Sequence, residues 1–152
     1  MIIQADPFEV LVTAARADGD VRSAVSDRCD IWHRYGQDPG DWPLIASSLI
    51  FVPAGGQMSQ DSVSVTPLVE ARCYGDTPFD CGQVWQALLK FSAKSDTTAR
   101  RVVAVTGGSG LLYRVNALSH PTLLFDEDIR PGGGMPFYSI QCEFEAALEF
   151  VA

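Results

Sequence analysis

The feature that most constrains the fold is a stretch of fifteen residues, Phe137–Val151, in which apolar and polar residues alternate. Its apolar members are Ile140, Cys142, Phe144, Ala146, Leu148 and Phe150, and its polar members are Ser139, Gln141, Glu143, Glu145 and Glu149. A period of two predicts a β-strand with one buried and one solvated face. At about 3.3 Å per residue the strand would span about 50 Å, so we expect it either to bend or to project beyond its own domain.

Two amphipathic segments predict the main helices. The first begins at Pro7 with Asp6 as its N-cap, and the second begins at Pro78 with Thr77 as its N-cap. Their apolar stripes are Phe8, Leu11, Val12 and Ala15 in the first helix, and Cys81, Val84, Trp85, Leu88 and Phe91 in the second. A short helical piece at Val21–Val25 is expected after a break at 18–20.

The remaining segments predict strands that are mostly joined as hairpins. The predicted strands are Cys29–Tyr35, Ser48–Val52, Ser62–Tyr74, Arg101–Thr106 and Leu111–Val115, with connections at 36–43, Pro53–Asp61 and Asp126–Gly134. Pro67 cannot donate a ladder hydrogen bond, which predicts a sheet edge or a bulge at that position. The order indicates a single α+β domain over 1–152, with a mainly antiparallel β-sheet, two main α-helices packed on one face and long β-hairpins.

Two glycine clusters are interpreted as hairpin turns. The first contains Gly107, Gly108 and Gly110, and the second contains Gly132, Gly133 and Gly134. The first cluster lacks the lysine and the following helix of a phosphate-binding loop, and a strand follows it instead. We therefore expect a tight turn at the first cluster and a flexible tip between two strands at the second.

The charge of the chain argues against two classes of partner. Nineteen acidic residues and eleven basic residues give a net charge of −8. A protein that grips a nucleic-acid backbone, or docks on an anionic membrane, needs clustered lysine and arginine. The N-terminal ten residues lack the basic start and apolar run of a signal peptide, and no apolar stretch approaches the ~20 residues that span a bilayer.

No pattern indicates catalysis, a cofactor or a metal. The only histidines, His33 and His120, have no nucleophile or carboxylate at a motif spacing. The acidic run Asp126–Asp128 lacks the alternating ligands of a calcium loop, and Glu143 with Glu145 indicates a wet strand face rather than a catalytic pair. The four cysteines form no CxxC pair, which favours buried, reduced thiols over a disulfide framework or a zinc site.

The layout of the chain resembles the tail terminator, or tail-completion, proteins of long-tailed bacteriophages and phage-like particles. The resemblance covers most of the chain and rests on the order of its segments. These are the helix in FEVLVTAARADGDVRSAV, a loop with Trp42-Pro43, strands in LIASSLIFVPAG and SVTPLVEARCYGD, a helix in QVWQALLKF, two further strands and the long strand FYSIQCEFEAALEF. The family has no catalytic motif to transfer.

The resemblance implies a structural role in the virion. Family members form a ring, usually of six copies, that caps the finished tail tube and joins it to the head, with a central channel through which DNA passes. The implied partners are other copies of the chain, the tail tube protein and a head–tail connector or stopper protein, with no cofactor. The protein would be made in the host bacterial cytoplasm. Alternatives are another neck component, such as an adaptor or stopper, or a small α+β enzyme or ligand-binding domain.

Two hypotheses about the assembly follow. Phe137–Val151 and the Arg101–Val115 hairpin are expected to contribute to contacts between subunits, because an overlong strand and glycine-rich hairpins can reach neighbours by strand addition. The glycines of both clusters would lie in these contacts. Glu143, Glu145 and Glu149 would line the channel, where like-charge repulsion would let DNA pass without sticking.

Overall fold

Nine strands and three helices occur in the part of the chain that the computed structural model describes, which is residues 3–4, 6–31, 46–58, 64–97, 101–105, 108–148 and 150–151. Their order is β1 (Ile3–Gln4), α1 (Pro7–Ala17), α2 (Gly19–Val25), β2 (Cys29–Ile31), β3 (Ser48–Met58), β4 (Ser64–Tyr74), α3 (Pro78–Thr97), β5 (Arg101–Val105), β6 (Gly108–Ala117), β7 (Thr122–Asp126), β8 (Met135–Leu148) and β9 (Phe150–Val151).

The strands form one large sheet and one small one. In the large sheet the order is β2-β3-β4-β8-β6-β5, and β7 is an additional partner of β8. The small sheet pairs β1 with β9. All pairs are antiparallel except β2 with β3, which is parallel. The predicted α+β class is therefore confirmed, with a sheet that is mostly antiparallel but mixed.

The main core lies between the helices and one face of the sheet. Residues of α1, α2 and α3 are buried in a single cluster with alternate residues of the two central strands. The strand residues are Val65, Val69, Ala71 and Cys73 of β4 and Ile140, Cys142, Phe144 and Ala146 of β8. Since alternate residues of a strand point to opposite faces, the residues between them lie on the second face, which we call the open face.

A second, smaller core covers one end of the open face. Ile50, Tyr74, Met135 and Phe137 are buried there, and Ile129 packs against them from the connection between β7 and β8. The rings of Tyr74 and Phe137 lie 4.9 Å apart between centroids. This connection therefore folds back over the sheet at the end where β7 lies.

The helix starts agree with the sequence. Asp6 caps α1 by accepting a hydrogen bond of 2.9 Å from the amide of Phe8, and Pro7 is its first residue. Thr77 Oγ1 accepts a hydrogen bond of 3.3 Å from the amide of Asp80 in the first turn of α3. The expected break at 18–20 is wrong in part, because Asp18 is the N-cap of α2 and the helix already begins at Gly19.

Strand β3 is longer than predicted. The sequence placed its end at Val52 and a connection at Pro53–Asp61, whereas the strand continues to Met58. The ladder with β4 shifts register between Pro53 and Gly56, so a bulge accommodates the proline and glycine residues that had indicated a loop. The bulge lies opposite Pro67 and confirms the irregularity predicted there. Residues 32–45, which include the rest of the predicted strand from Cys29 and the loop at 36–43, lie outside the described residues, as do 59–63.

The long strand also differs from its prediction. It ends at Leu148, and β9 then pairs with β1. One edge of β8 pairs with β4, while the other pairs with β7 near its start and with β6 near its end. Because strands of the same chain occupy both edges, the backbone of β8 is not available for strand addition between subunits.

Candidate interaction surface

Strand β7 presents an apolar sheet edge to solvent. Its only ladder partner in the described structure is β8. Leu123, Leu124 and Phe125 are 40%, 42% and 54% exposed, and Leu118 in the preceding connection is 55% exposed. An edge strand with large exposed apolar side chains is a template for pairing with another chain, and proteins that avoid such pairing place lysine or proline there instead.

The exposed side chains of β7 lie on both faces of the sheet. Leu124 is opposite Phe137, and Asp126 is opposite Met135. Since Phe137 and Met135 lie in the second core, Leu124 and Asp126 also belong to the open face. Leu123 is opposite Tyr138, whose ring packs against the main core on the helix side. A partner that pairs with the edge of β7 would therefore contact apolar side chains above and below the sheet.

A polar network fixes the C-terminal end of β7 to the centre of the sheet. The hydroxyl of Tyr74 donates a hydrogen bond of 3.0 Å to Oδ2 of Asp126. Arg72 Nη1 lies 3.9 Å from the same oxygen, and Arg72 Nε donates a hydrogen bond of 2.8 Å to Glu70 Oε1. The guanidinium of Arg72 also lies 5.0 Å from the ring centre of Phe137. These contacts cross β8 and hold the edge strand in register.

Burial and hydrogen bonding shift the pKa values in this network. Burial raises the pKa of Tyr74 well above its ordinary value, so its hydroxyl remains a donor. Burial acts to lower the pKa of Arg72, but hydrogen bonds to Tyr74 and Glu70 outweigh it and the pKa is raised. Arg72 therefore stays charged beneath the acidic end of β7.

An open depression of about 550 Å³ lies beside this network. It is lined by Arg72, Phe125, Asp126, Glu127, Asp128 and Phe137. Three of these six residues carry a carboxylate, and the one guanidinium among them already contacts Glu70 and Asp126. The depression is therefore suited to a cationic side chain that approaches along the edge of β7.

The second glycine cluster lies in the connection between β7 and β8, as the sequence predicts. Gly132, Gly133 and Gly134 have φ values of 83°, 142° and 85°, which favour glycine. A Cβ atom on Gly134 would lie 2.8 Å from Cβ of Phe125. This glycine therefore allows the loop to return close to the exposed strand. Its expected role in subunit contacts stays a prediction.

Two of the three glycines of the first cluster lie in a strand and not in the tight turn that the sequence predicted. Gly108 and Gly110 belong to β6, where they pair with Val105 and Val103 of β5. Gly107 lies outside the described residues. A Cβ atom on Gly110 would lie 2.5 Å from Cγ2 of Val10 in α1. Gly110 is therefore needed for the close packing of α1 on the sheet rather than for a tight turn.

The two described acidic residues proposed for a channel wall have similar exposure, but one of them has an ion-pair partner. Glu143 and Glu145 both lie half-buried on the open face, and Glu149 lies outside the described residues. Arg114 Nε approaches Glu145 Oε2 at 3.0 Å from the neighbouring strand β6. This ion pair offsets the charge of one of the two described carboxylates, so the repulsive field expected from this strand is weaker than its sequence indicates.

The other residues considered for chemistry are separated from one another. His120 is exposed in the connection before β7, and His33 lies outside the described residues. No group of three or more His, Cys, Asp or Glu in the described structure is arranged to hold a metal ion. A polar cavity of about 340 Å³ lies between α2 and α3 and includes Asp20, Asp80 and Lys90 in its lining. Its polar lining differs from the mainly apolar pockets that bind small molecules.

The cysteines are buried thiols, as predicted. Cys29, Cys73, Cys81 and Cys142 are all free and buried. Burial raises the pKa of Cys81 to about 11 and those of Cys29 and Cys142 to about 12. Thiolates are therefore scarce near neutral pH, and these side chains are poor nucleophiles or metal ligands in the folded protein.

The sequence interpretation did not identify β7. A signal was present, because the short apolar run Leu123–Phe125 stands between Pro121 and the acidic residues from Asp126 onward. Such a run, bounded by turn residues, is typical of a short strand.

The described helices include none that is long and apolar enough to cross a bilayer. Comparison with protein-family models and with curated proteins gives no match to this chain.

Proposed function

We propose that this chain is a structural protein of long-tailed bacteriophages or phage-like particles. It assembles into a ring of six copies at the head-proximal end of the tail tube and joins the tail to the head. Its partners are other copies of itself, the tail tube protein and a head–tail connector or stopper protein. DNA passes through the ring, and the protein acts in the neck of the virion after synthesis in the host bacterial cytoplasm.

The observation that carries the proposal is the exposed edge of β7. Three consecutive large apolar residues, Leu123–Phe125, face solvent on a strand with a free outer edge in the described structure. A monomer gains nothing from this arrangement, whereas an assembly would bury it. The order of helices and strands that resembles tail terminators supports the same interpretation.

The open face of the sheet is a second candidate for contact with other molecules. Its half-buried polar residues include Glu70, Arg72, Ser139, Glu143 and Glu145. Because the three helices pack on the other side of the sheet, no helix covers this face in the described structure, which is consistent with the proposed channel or a contact with the tail tube. In the proposed ring, Glu143 and Glu145 would face passing DNA, and Arg114 would moderate their repulsion.

The mass of the purified protein in solution and its shape in negative-stain images test the proposal. Six copies at 16.5 kDa each give a ring of about 99 kDa with a central hole. We expect this ring either alone or after addition of tubes assembled from the tail tube protein of the same phage. Rings bound at one end of such tubes support tail termination.

Two outcomes would redirect the assignment. Binding to the portal side of the neck and not to tail tubes would indicate an adaptor or stopper protein. A chain that stays monomeric with and without tubes, and that binds a small molecule in a defined pocket, would contradict the structural role and favour the ligand-binding alternative.

A further inference from the structure

We infer that the outer edge of β7 pairs antiparallel with the outer edge of β5 of a second copy of this chain. This inference rests on the proposed function, since it identifies the contact that would build the ring. The pairing joins two different surfaces of the chain. Such a contact propagates from copy to copy and forms a ring where the rotation between copies closes.

The two strand edges match in length and in the residues they offer. Strand β5 (Arg101–Val105) ends the large sheet and has β6 as its ladder partner in the described structure. It has five residues, as β7 does. Its sequence RVVAV is rich in valine, a β-branched residue that packs well across strands. It would supply apolar partners for Leu123, Leu124 and Phe125.

The charges at the strand ends determine the direction of pairing. Strand β7 ends in Asp126, which Glu127 and Asp128 follow, while β5 begins with Arg101. An antiparallel arrangement brings the acidic end of β7 beside the basic end of β5. A parallel arrangement would place Arg101 beside Thr122, far from these carboxylates.

The depression at the end of β7 provides a place for the incoming arginine. Glu127 and Asp128 on its rim are exposed, and Phe125 offers an aromatic surface. A guanidinium can bind carboxylates and stack on an aromatic ring at the same time. Arg72 already contacts Glu70 and Asp126 and does not balance all three carboxylates of the depression. Arg101 of the second copy would add a second positive charge there.

The positions of the two edges are compatible with a contact between different surfaces. Both β6 and β7 lie along the same edge of β8, with β7 at its start and β6 at its end. The outer edge of β7 lies beside the first part of the fourteen-residue strand β8, and the outer edge of β5 lies beside its last part. They are therefore two different surfaces of the chain, and a contact between them is heterologous.

Chemical cross-linking of two single-cysteine variants tests the pairing directly. Leu123→Cys and Ala104→Cys each place a thiol at an exposed position, on β7 and β5 respectively, and these positions are opposite each other when Asp126 pairs with Arg101. The four native cysteines are buried and should not react with a short bismaleimide. We expect a cross-linked dimer when the two variants are mixed and assembled, and not from either variant alone. A dimer from Leu123→Cys alone would indicate symmetric β7–β7 pairing and would overturn the inference.

Charge reversal tests the direction of the strands. Glu127→Arg and Arg101→Glu should each weaken ring formation by about tenfold in association midpoint, and the double variant should recover most of the loss. Asp27→Arg, an exposed change in the turn before β2 at the far edge of the sheet, is the matched control. Weakening by both single variants without recovery in the double variant would overturn the antiparallel arrangement.

A third variant separates this inference from the proposed function. The double substitution Leu123→Lys, Leu124→Lys places charges on the edge and should abolish rings, while Phe79→Lys, at a residue 73% exposed on α3, should leave them intact. Circular dichroism verifies that each variant is folded. Rings that persist in the double variant, together with no mixed cross-link, overturn the pairing and leave the proposed function standing. A chain that forms no ring with or without tail tubes overturns both.

Discussion

Tyr74 and Asp126 are joined by a hydrogen bond of 3.0 Å although their strands, β4 and β7, lie on opposite sides of β8. The side chain of Asp126 is only 11% exposed. A short polar contact thus reaches across the central strand and adds to the β7–β8 ladder in holding the sheet edge. The arrangement makes the interaction surface depend on a residue in the second core.

Removal of this hydrogen bond should loosen β7. Tyr74→Phe keeps the ring packed on Phe137 but leaves a nearly buried carboxylate oxygen without its hydroxyl donor, which should lower the free energy of unfolding by about 1–2 kcal/mol. Amide hydrogen exchange in β7 should accelerate more than in β4. Tyr138→Phe, whose ring packs edge-on against Trp85, is the matched control. Equal exchange in β7 for both variants would contradict this role.

Gly110 should tolerate no side chain while α1 is in place. In Gly110→Ala the new methyl group would lie 2.5 Å from Cγ2 of Val10, and we expect a loss of about 1–3 kcal/mol in the free energy of unfolding. The second substitution Val10→Ala should recover part of this loss, as a double-mutant cycle measured by urea denaturation would reveal. The control Gly19→Ala has no atom within 4 Å of the new methyl group and should leave stability unchanged or slightly higher. Additive effects of the Gly110 and Val10 substitutions would argue against the contact.

The thiols should resist modification in the folded protein. All four cysteines are buried, and burial raises the pKa values of Cys29, Cys81 and Cys142. At pH 8 we expect a disulfide reagent such as DTNB to label none of them rapidly, and to label four per chain after unfolding in guanidinium. Fast labelling of any cysteine under native conditions would indicate that the core opens locally at that residue.

The ion pair that ties α3 to α2 should give a defined pH dependence. Lys94 Nζ lies 3.0 Å from Asp18 Oδ1 and also contacts Asp20. A hydrogen bond from Lys94 lowers the pKa of Asp20 below its ordinary 3.8, and hydrogen bonds to Asp20 and Asp18 raise the pKa of Lys94 above its ordinary 10.5. The contribution of Asp20 is thus present above pH 3.8 and is lost as the pH falls through its lowered pKa. The contribution of Lys94 is present below pH 10.5 and is lost as the pH rises through its raised pKa.

Lys94→Gln should therefore lower the melting temperature at neutral pH. The difference from the parent protein should shrink as the pH falls well below 3.8, where Asp20 is protonated in both proteins. Melting curves at several pH values measure this difference, and Arg22→Gln, at an exposed position of α2, is the control. A difference that is constant from acid to neutral pH would indicate that Lys94 acts through packing instead of charge.

Local chemistry made some elements predictable from the sequence. Asp6 and Thr77 are followed by proline and an apolar stripe, and both helix starts were predicted from these short-range patterns. The bulge opposite Pro67 was also foreseeable, because proline lacks the amide proton that a regular ladder needs.

Contacts between residues far apart in the sequence determine the features that could not be predicted. Alternation in β8 indicates one buried face, but it carries no information about which strands occupy the two edges. The role of Gly110 depends on the approach of Val10 from a helix a hundred residues earlier, so its turn-like neighbourhood was misleading. The surface at β7 was missed because three exposed apolar residues have no polar alternation to distinguish them.

The central position of β8 has a consequence for the order of events during synthesis. Strands β4, β6 and β7 all leave the ribosome before β8, yet each takes β8 as a ladder partner. Until β8 emerges, β4 has an unpaired edge and β6 and β7 are not anchored to the sheet, so apolar surface is exposed on a growing chain. Completion of β8 would then act as the commitment step, after which the sheet closes and β7 is displayed for its partner.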